Sequence, residues 1–324
     1  MLCEKVTEAL DRFQTACDRR MANANAANEP KIPLFHYTNE EALFSILDSG
    51  QFWFTSIYHM DDPEELSFGF NVARELFKDA VERSTGLSRA FCRELGEESE
   101  LERIKELIAF YSVSFGLRDV AQQWADYADK GCGIAFGLAP EFFRPAAFDD
   151  PENPRPDEII FYGKIAYGPV NGRARHTKVV DAALALIEQT QRRKRLSSGK
   201  EAMLFCRHLA ASMYTEIIWN CVTTKDAKWC HQNEMRILAR NFLKDPKLPI
   251  VNEEIRPRVE IGQPRLKQSI VEVMIGPKAD EGAVERVRSG LASRGLEKIL
   301  VSRSSDQQPA ASLMGYNRSI NKIR

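Results

Sequence analysis

Residues 32–56, IPLFHYTNEEALFSILDSGQFWFTS, decide how the fold begins. Ile32 to Tyr37 is a short apolar run, the signature of a buried strand. Thr38 is followed three residues later by Glu41, the spacing of a capping box, and Leu43, Phe44, Ile46 and Leu47 then fall on one helical face. Gly50 closes that helix, because a residue without Cβ enters the left-handed conformation of a helix stop at little cost. Gln51 to Ser56 alternates aromatic with smaller residues and reads as a second strand. Strand, helix and strand in such short compass predict an α+β fold with a mixed or split β-sheet and peripheral helices.

Working outward, Leu2, Val6, Leu10, Phe13 and Cys17 recur at spacings of three and four, marking an amphipathic helix. The stretch MANANAANEPKIP that follows reads as a linker. Downstream, Met60 to Glu65 forms an acidic turn, and helical patterns run over Leu66 to Arg83 and Leu87 to Ala109. Strands are expected at Tyr111 to Phe115, Gly131 to Gly137, Glu158 to Tyr167, Glu234 to Ala239, Ser269 to Ile275 and Lys298 to Val301. Further helices are expected at Val120 to Ala128, Ala174 to Lys194, Glu201 to Val222 and Glu281 to Ser293. These elements divide the chain into an N-terminal helix and linker over 1–29, one α+β domain over 30–303 and a polar tail over 304–324.

The 324 residues are 44% hydrophobic, enough for a sizeable core, and 45 basic against 46 acidic side chains leave a net charge of -1. No global positive field draws the chain to nucleic acid. The seven cysteines are odd in number and scattered, which reads as reduced thiols in the cytoplasm. The longest uncharged stretches, Ser49 to Met60 and Leu107 to Leu117, are too short to span a bilayer, so no membrane partner is expected. Cysteines and histidines lack chelating spacing, and no metal is assigned. The glycine patterns of dinucleotide loops, phosphate loops and nucleophile elbows are missing, so the usual dehydrogenase, NTPase and hydrolase readings lose most of their weight.

Four polar groups stand at strand ends or in turns, where scaffolds expose working residues. His36-Tyr37-Thr38 closes the first strand, although a lone histidine there is more often structural. Asp61-Asp62-Pro63-Glu64 reads most simply as a proline turn with helix-start charge. Ser112 and Ser114 precede Trp124 and Tyr127, which sit three apart on one helical face and by themselves suggest core. Gln232, Glu234 and Arg236 alternate onto one face of a strand and require solvent or a ligand, because burying them without partners is costly.

The order of these pieces resembles the bacterial domain-of-unknown-function family 2971. The matches are Phe35-His36-Tyr37, Asp61-Asp62-Pro63 with Glu64 or Glu65, Ser114, Trp124-Ala125-Asp126-Tyr127-Ala128, Gly131 to Gly137, and Lys225 with Trp229 to Arg236. Asp61 replaces the family's asparagine, and Gln232 replaces the first glutamate of its Glu-x-Glu pair. A second resemblance, to ADP-ribosyltransferases, rests on His36-x-Thr38, the helix that follows, Gln232-Asn233-Glu234 and the glycine strand, where Ala135 replaces the usual tyrosine. That resemblance implies a transferase-like core and an NAD-dependent ADP-ribosyltransferase or NAD glycohydrolase, as in a bacterial toxin or phage-defence effector. It implies Glu234, Gln232 and His36 as catalytic residues, and Tyr37, Thr38, Ser114, Trp124, Tyr127 and Arg236 as contacts to NAD, which is the substrate. The implied partners are NAD and a protein or nucleic-acid acceptor. The alternative is a nucleotide or nucleic-acid binding module without turnover, in which Trp124, Tyr127 and the basic run Gln191 to Arg195 contact the ligand, or a domain that recruits a partner through its N-terminal helix. On the transferase expectation, His36 and Glu234 share a cleft, and Glu234→Gln removes activity while leaving the fold intact.

Overall fold

The computed structural model describes residues 2–27, 29–60, 64–143, 149–150, 153–154, 159–251, 256–263 and 265–305. In chain order its helices are α1 (Glu4–Ala27), α2 (Glu40–Ser49), α3 (Glu64–Arg83), α4 (Gly86–Glu98), α5 (Leu101–Lys105), α6 (Ala121–Tyr127), α7 (Gly168–Arg192), α8 (Gly199–Val222), α9 (Leu266–Ser269) and α10 (Ala283–Ala292). The strands are β1 (Leu34–Thr38), β2 (Gln51–Ser56), β3 (Ile108–Phe115), β4 (Ile134–Leu138), β5 (Asp149–Asp150), β6 (Asn153–Pro154), β7 (Ile159–Lys164), β8 (Ala166–Tyr167), β9 (Thr224–Lys225), β10 (Met235–Phe242), β11 (Ile250–Val251), β12 (Arg258–Gly262), β13 (Ile270–Ile275) and β14 (Leu300–Arg303). The class is α+β with mixed sheets. Where one domain was expected over 30–303, the contacts separate two compact units, the first built from 1–29, 52–114 and 143–261 and the second from 30–51, 115–142 and 262–324.

The first unit holds a six-stranded sheet in the order β11-β12-β2-β3-β10-β7 and a parallel pair, β8 with β9. Its main core is helical: Phe70, Phe77, Phe91, Phe205, Leu209 and Met213 are among the side chains that α3, α4 and α8 bury together. Gly69 on α3 lets that helix meet α8, since a Cβ there would lie 1.9 Å from the Cys221 carbonyl oxygen.

The N-terminal helix packs into this core. Val6, Leu10, Phe13 and Cys17 of α1 pack into it, and Arg20 grips the buried Glu216 through both carboxylate oxygens at 3.0 and 2.8 Å. The stretch read as a linker continues α1 to Ala27, because alanine favours helix and Asn25 is buried. The single helix expected over Leu87 to Ala109 is instead α4, α5 and the start of β3. Acidic Glu97 opposes the dipole at the end of α4, and the apolar run from Ile108 onward belongs to the strand. Asp61-Asp62-Pro63, Glu158 and most of the C-terminal tail, 306–324, lie outside the described residues.

The second unit holds a four-stranded sheet in the order β1-β4-β13-β14, antiparallel except for the last pair. Its opening strand and helix follow the sequence reading closely. The cap, however, is Asn39, whose side chain accepts from the Ala42 amide at 2.8 Å, and not Thr38; Gly50 closes the helix at φ +67°.

In the first unit, His176 on α7 is fully buried, with Nε2 3.9 Å from the Cys221 sulfur and Nδ1 without a partner. Burial, assisted by the Arg175 charge, lowers its pKa to about 3. The folded protein therefore refuses a proton that the unfolded chain accepts below its ordinary value near 6.5. His176 should withdraw stability as pH falls from about 6.5 toward 3, by up to about 1.4 kcal/mol per pH unit. Urea denaturation across that range should show a shallower slope in His176→Gln; an identical slope refutes the assignment. Gly69→Ala should lower stability by about 2 kcal/mol or more, read as a lower urea midpoint, because the clash is with backbone and outweighs alanine's helical gain.

Candidate functional site

In the first unit the chain turns sharply before β10. Lys225 ends β9, a 3-10 segment runs over Ala227–Gln232, and Asn233 adopts φ 42°. Asparagine tolerates that left-handed conformation better than most residues. The turn folds Lys225, Gln232 and Glu234 onto one another: the Lys225 ammonium donates to Glu234 Oε2 at 2.6 Å and to Gln232 Oε1 at 3.1 Å. Arg236 donates to Glu234 Oε1 at 2.5 Å, and the Ser114 hydroxyl of β3 donates to the same oxygen at 2.6 Å. The Glu234 backbone amide donates to the Tyr167 hydroxyl at 2.8 Å. Lys225, Gln232, Glu234 and Arg236 are each 2–3% exposed.

Burial alone pushes the Glu234 pKa up, but Arg236 and then Lys225 outweigh it and hold the carboxyl at about 2. Glu234 is thus an ionised carboxylate enclosed by protein. The alternating face of Gln232, Glu234 and Arg236 is buried and does not meet solvent at an exposed edge. Its polar groups answer one another and Ser114. The outer end of the same region carries Glu64, 3.3 Å from Lys228, so the acidic helix start and the segment before β10 meet as well. That exposed pair contributes less than about 1 kcal/mol.

The remaining expected site residues belong to the second unit. His36 is half-buried, its ring 5.6 Å from that of Phe115 and 5.4 Å from that of Phe136. Thr38, also half-buried, ends the same strand. Tyr37 is buried and braces the following loop: its hydroxyl donates to the Leu117 carbonyl at 2.7 Å and accepts from the Val120 amide at 3.0 Å, and burial raises its pKa. Its ring meets Trp124 edge-on at 5.0 Å. Trp124 is 3% exposed within an apolar cluster with Phe35, Tyr37 and Met274, whereas Tyr127 on the same helix is 44% exposed. The structure therefore brings Ser114, Gln232, Glu234 and Arg236 together in one unit, and groups His36, Tyr37, Thr38, Trp124 and Tyr127 in the other.

The second unit also holds an open cleft of about 220 Å³, lined by residues that include Asp119, Ala121, Trp124, Lys130, Lys278 and Ser304. Asp119 adopts φ 55°, and its carboxylate accepts from the Trp124 indole N–H at 2.8 Å and from the Ser304 hydroxyl at 2.5 Å. Of these lining residues only Trp124 stood out in the sequence. Asp119, Lys130, Lys278 and Ser304 carry no motif, and their convergence follows from sheet pairing. Among the described residues, no group of three or more His, Cys, Asp or Glu is arranged to hold a metal ion, and no helix is long and apolar enough to cross a membrane. No known protein family, curated relative or solved structure matches this chain.

The burial of Glu234 reverses one expectation. Substituting it should not spare the fold, because Glu234→Gln leaves Lys225 and Arg236 without the carboxylate they share. The loss should be about 3–5 kcal/mol, the usual penalty for breaking a buried pair from one side. In the native chain the ionised Glu234 contributes stability that is complete above the ordinary carboxyl pKa of 4.5 and is lost as pH falls toward about 2. Denaturation of Glu234→Gln should show a lower midpoint at pH 7 and lack that acid limb. A midpoint equal to that of the native chain contradicts the network.

Proposed function

We propose that this chain is a nucleotide-binding module whose ligand enters the cleft of the second unit. The observation that carries this reading is the pairing, inside one concave surface, of the Trp124 edge with the fixed Asp119 carboxylate and the Ser304 hydroxyl. Ala121 and Trp124 supply apolar wall for a base, and Asp119 offers an acceptor to sugar hydroxyls. Ligand sites that enclose a whole small molecule usually measure about 300–1,000 Å³. The volume of about 220 Å³ suits one portion of a nucleotide, the rest lying outside.

The NAD-consuming reading, with an ADP-ribosyltransferase-like core, is second. Ser114, Gln232 and Glu234 do cluster, and Glu234 is ionised. A ribosyl cation is stabilised by a carboxylate that faces it with little competing charge. Glu234 faces Lys225 and Arg236, so its field is largely spent within the protein.

Calorimetric titration with adenosine, AMP and NAD distinguishes the two readings. The binding reading requires saturable binding of adenosine or AMP that Ala125→Trp abolishes, since Ala125 is exposed and lines the cleft, while the melting temperature stays within a few degrees. If none of the three binds, the reading is wrong. Nicotinamide release from NAD by the native chain, lost in Ser114→Ala, would move the assignment to the transferase.

A further inference from the structure

Two glycine-bearing loops of the second unit run against each other beside this cleft. The Gly276 amide donates to the Gly133 carbonyl and the Lys278 amide to the Gly131 carbonyl, both at 2.9 Å. A Cβ on Gly276 would lie 2.3 Å from the Gly131 oxygen, so the approach depends on its missing side chain. Asp129, Lys130 and Gly131 are consecutive left-handed residues, at φ 47°, 52° and 96°. Such a conformation is unfavourable for Lys130 and persists because the zipped loops impose it.

The consequence is electrostatic. The Lys278 side chain runs across Gly131, its Cδ 3.5 Å from where a Cβ would stand, and Lys130 is the adjacent residue; both line the cleft. Neither lysine has an ion-pair partner among the described residues. The carboxylate within the cleft, Asp119, already accepts from Trp124 and Ser304, and the Ser305 amide reaches its second oxygen at 3.4 Å. An anion that approaches both lysines on these neighbouring loops gains two attractions. Lysine ammoniums act as point charges on phosphate, without the planar fork that selects a carboxylate.

We infer that Lys130 and Lys278 form a clamp for a phosphate group at the rim of the second-unit cleft. This rests on the nucleotide-binding reading and identifies the part of the ligand that the rim recognises. With Trp124, Asp119 and both lysines lining the cleft, a nucleoside monophosphate places its phosphate against the lysines. Free inorganic phosphate takes the same position more weakly, because it lacks the rest of the contacts.

The test is calorimetry on the full chain with three probes, AMP, adenosine and inorganic phosphate, at low and at moderate salt. The native chain should bind AMP roughly tenfold more tightly than adenosine, as two partly exposed ion pairs allow, and the preference should shrink as salt rises. Lys130→Gln combined with Lys278→Gln should equalise AMP and adenosine, and the double arginine variant should restore most of the preference. Both lysines are exposed, so folding should be unaffected, with circular dichroism as the check. Equal affinity of the native chain for AMP and adenosine, or an AMP preference that survives the double glutamine variant, overturns the clamp while leaving the binding reading standing. Phosphate binding with no nucleoside binding supports the clamp and removes the nucleotide reading. Failure of all three probes removes both.

Discussion

Glu234 is held between Lys225 and Arg236 with almost no contact with water, and the first unit is arranged so that this is affordable. Removing three charges from solvent costs several kcal/mol for each ion, a debt that mutual attraction settles only with short, well-directed contacts. The contacts here are short, at 2.5 to 2.6 Å, and Ser114 adds another donor to the carboxylate. Each partner comes from a different piece of backbone. β9 must end at Lys225, the 3-10 segment must bring Gln232 round, Asn233 must turn left-handed, and β3 must pass with Ser114 on the facing side. The network is thus a geometric constraint that several elements satisfy at once, and loss of one partner leaves the other charges stranded.

The second unit is governed by close backbone approach instead of buried charge. Gly133 and Gly276 stand where a Cβ would strike a carbonyl oxygen at 2.3 Å, and Gly290 leaves room for the Phe44 ring. Tyr37 contributes a different constraint: its ring packs against Trp124 while its hydroxyl fixes the loop from Leu117 to Val120. That loop presents Asp119, which in turn orients the Trp124 indole. A buried tyrosine with a satisfied hydroxyl thereby determines the wall of the cleft.

These two arrangements change how the polar residues are understood. A face carrying Gln232, Glu234 and Arg236 was expected to need solvent or a ligand, and the protein supplies a third solution, in which oppositely charged residues and Ser114 complete one another. Trp124 shows the converse. Its core-like spacing and burial are genuine, yet it also lines a cleft, so packing in a core and lining a cleft do not exclude each other.

The sequence by itself determined the local elements: β1, α2, Gly50 and β2 follow from apolar periodicity and one obligatory left-handed residue, because such signals act over a few neighbours. The mixed α+β class follows from the same patterns. It did not reveal that α1 continues through its alanine-rich stretch into the core, since propensity and burial there point the same way only once α8 is in place. Nor did it reveal the division into two units, because each is assembled from three separated segments. The site was legible as residue types at strand ends but not as groupings. Glu234 and Lys225 are near in sequence, yet Ser114 joins them only through the passage of β3, and Lys278 meets Gly131 only because β4 and β13 pair. Pairing of distant strands is decided by the packing of whole sheets, and no short stretch of the chain carries that information.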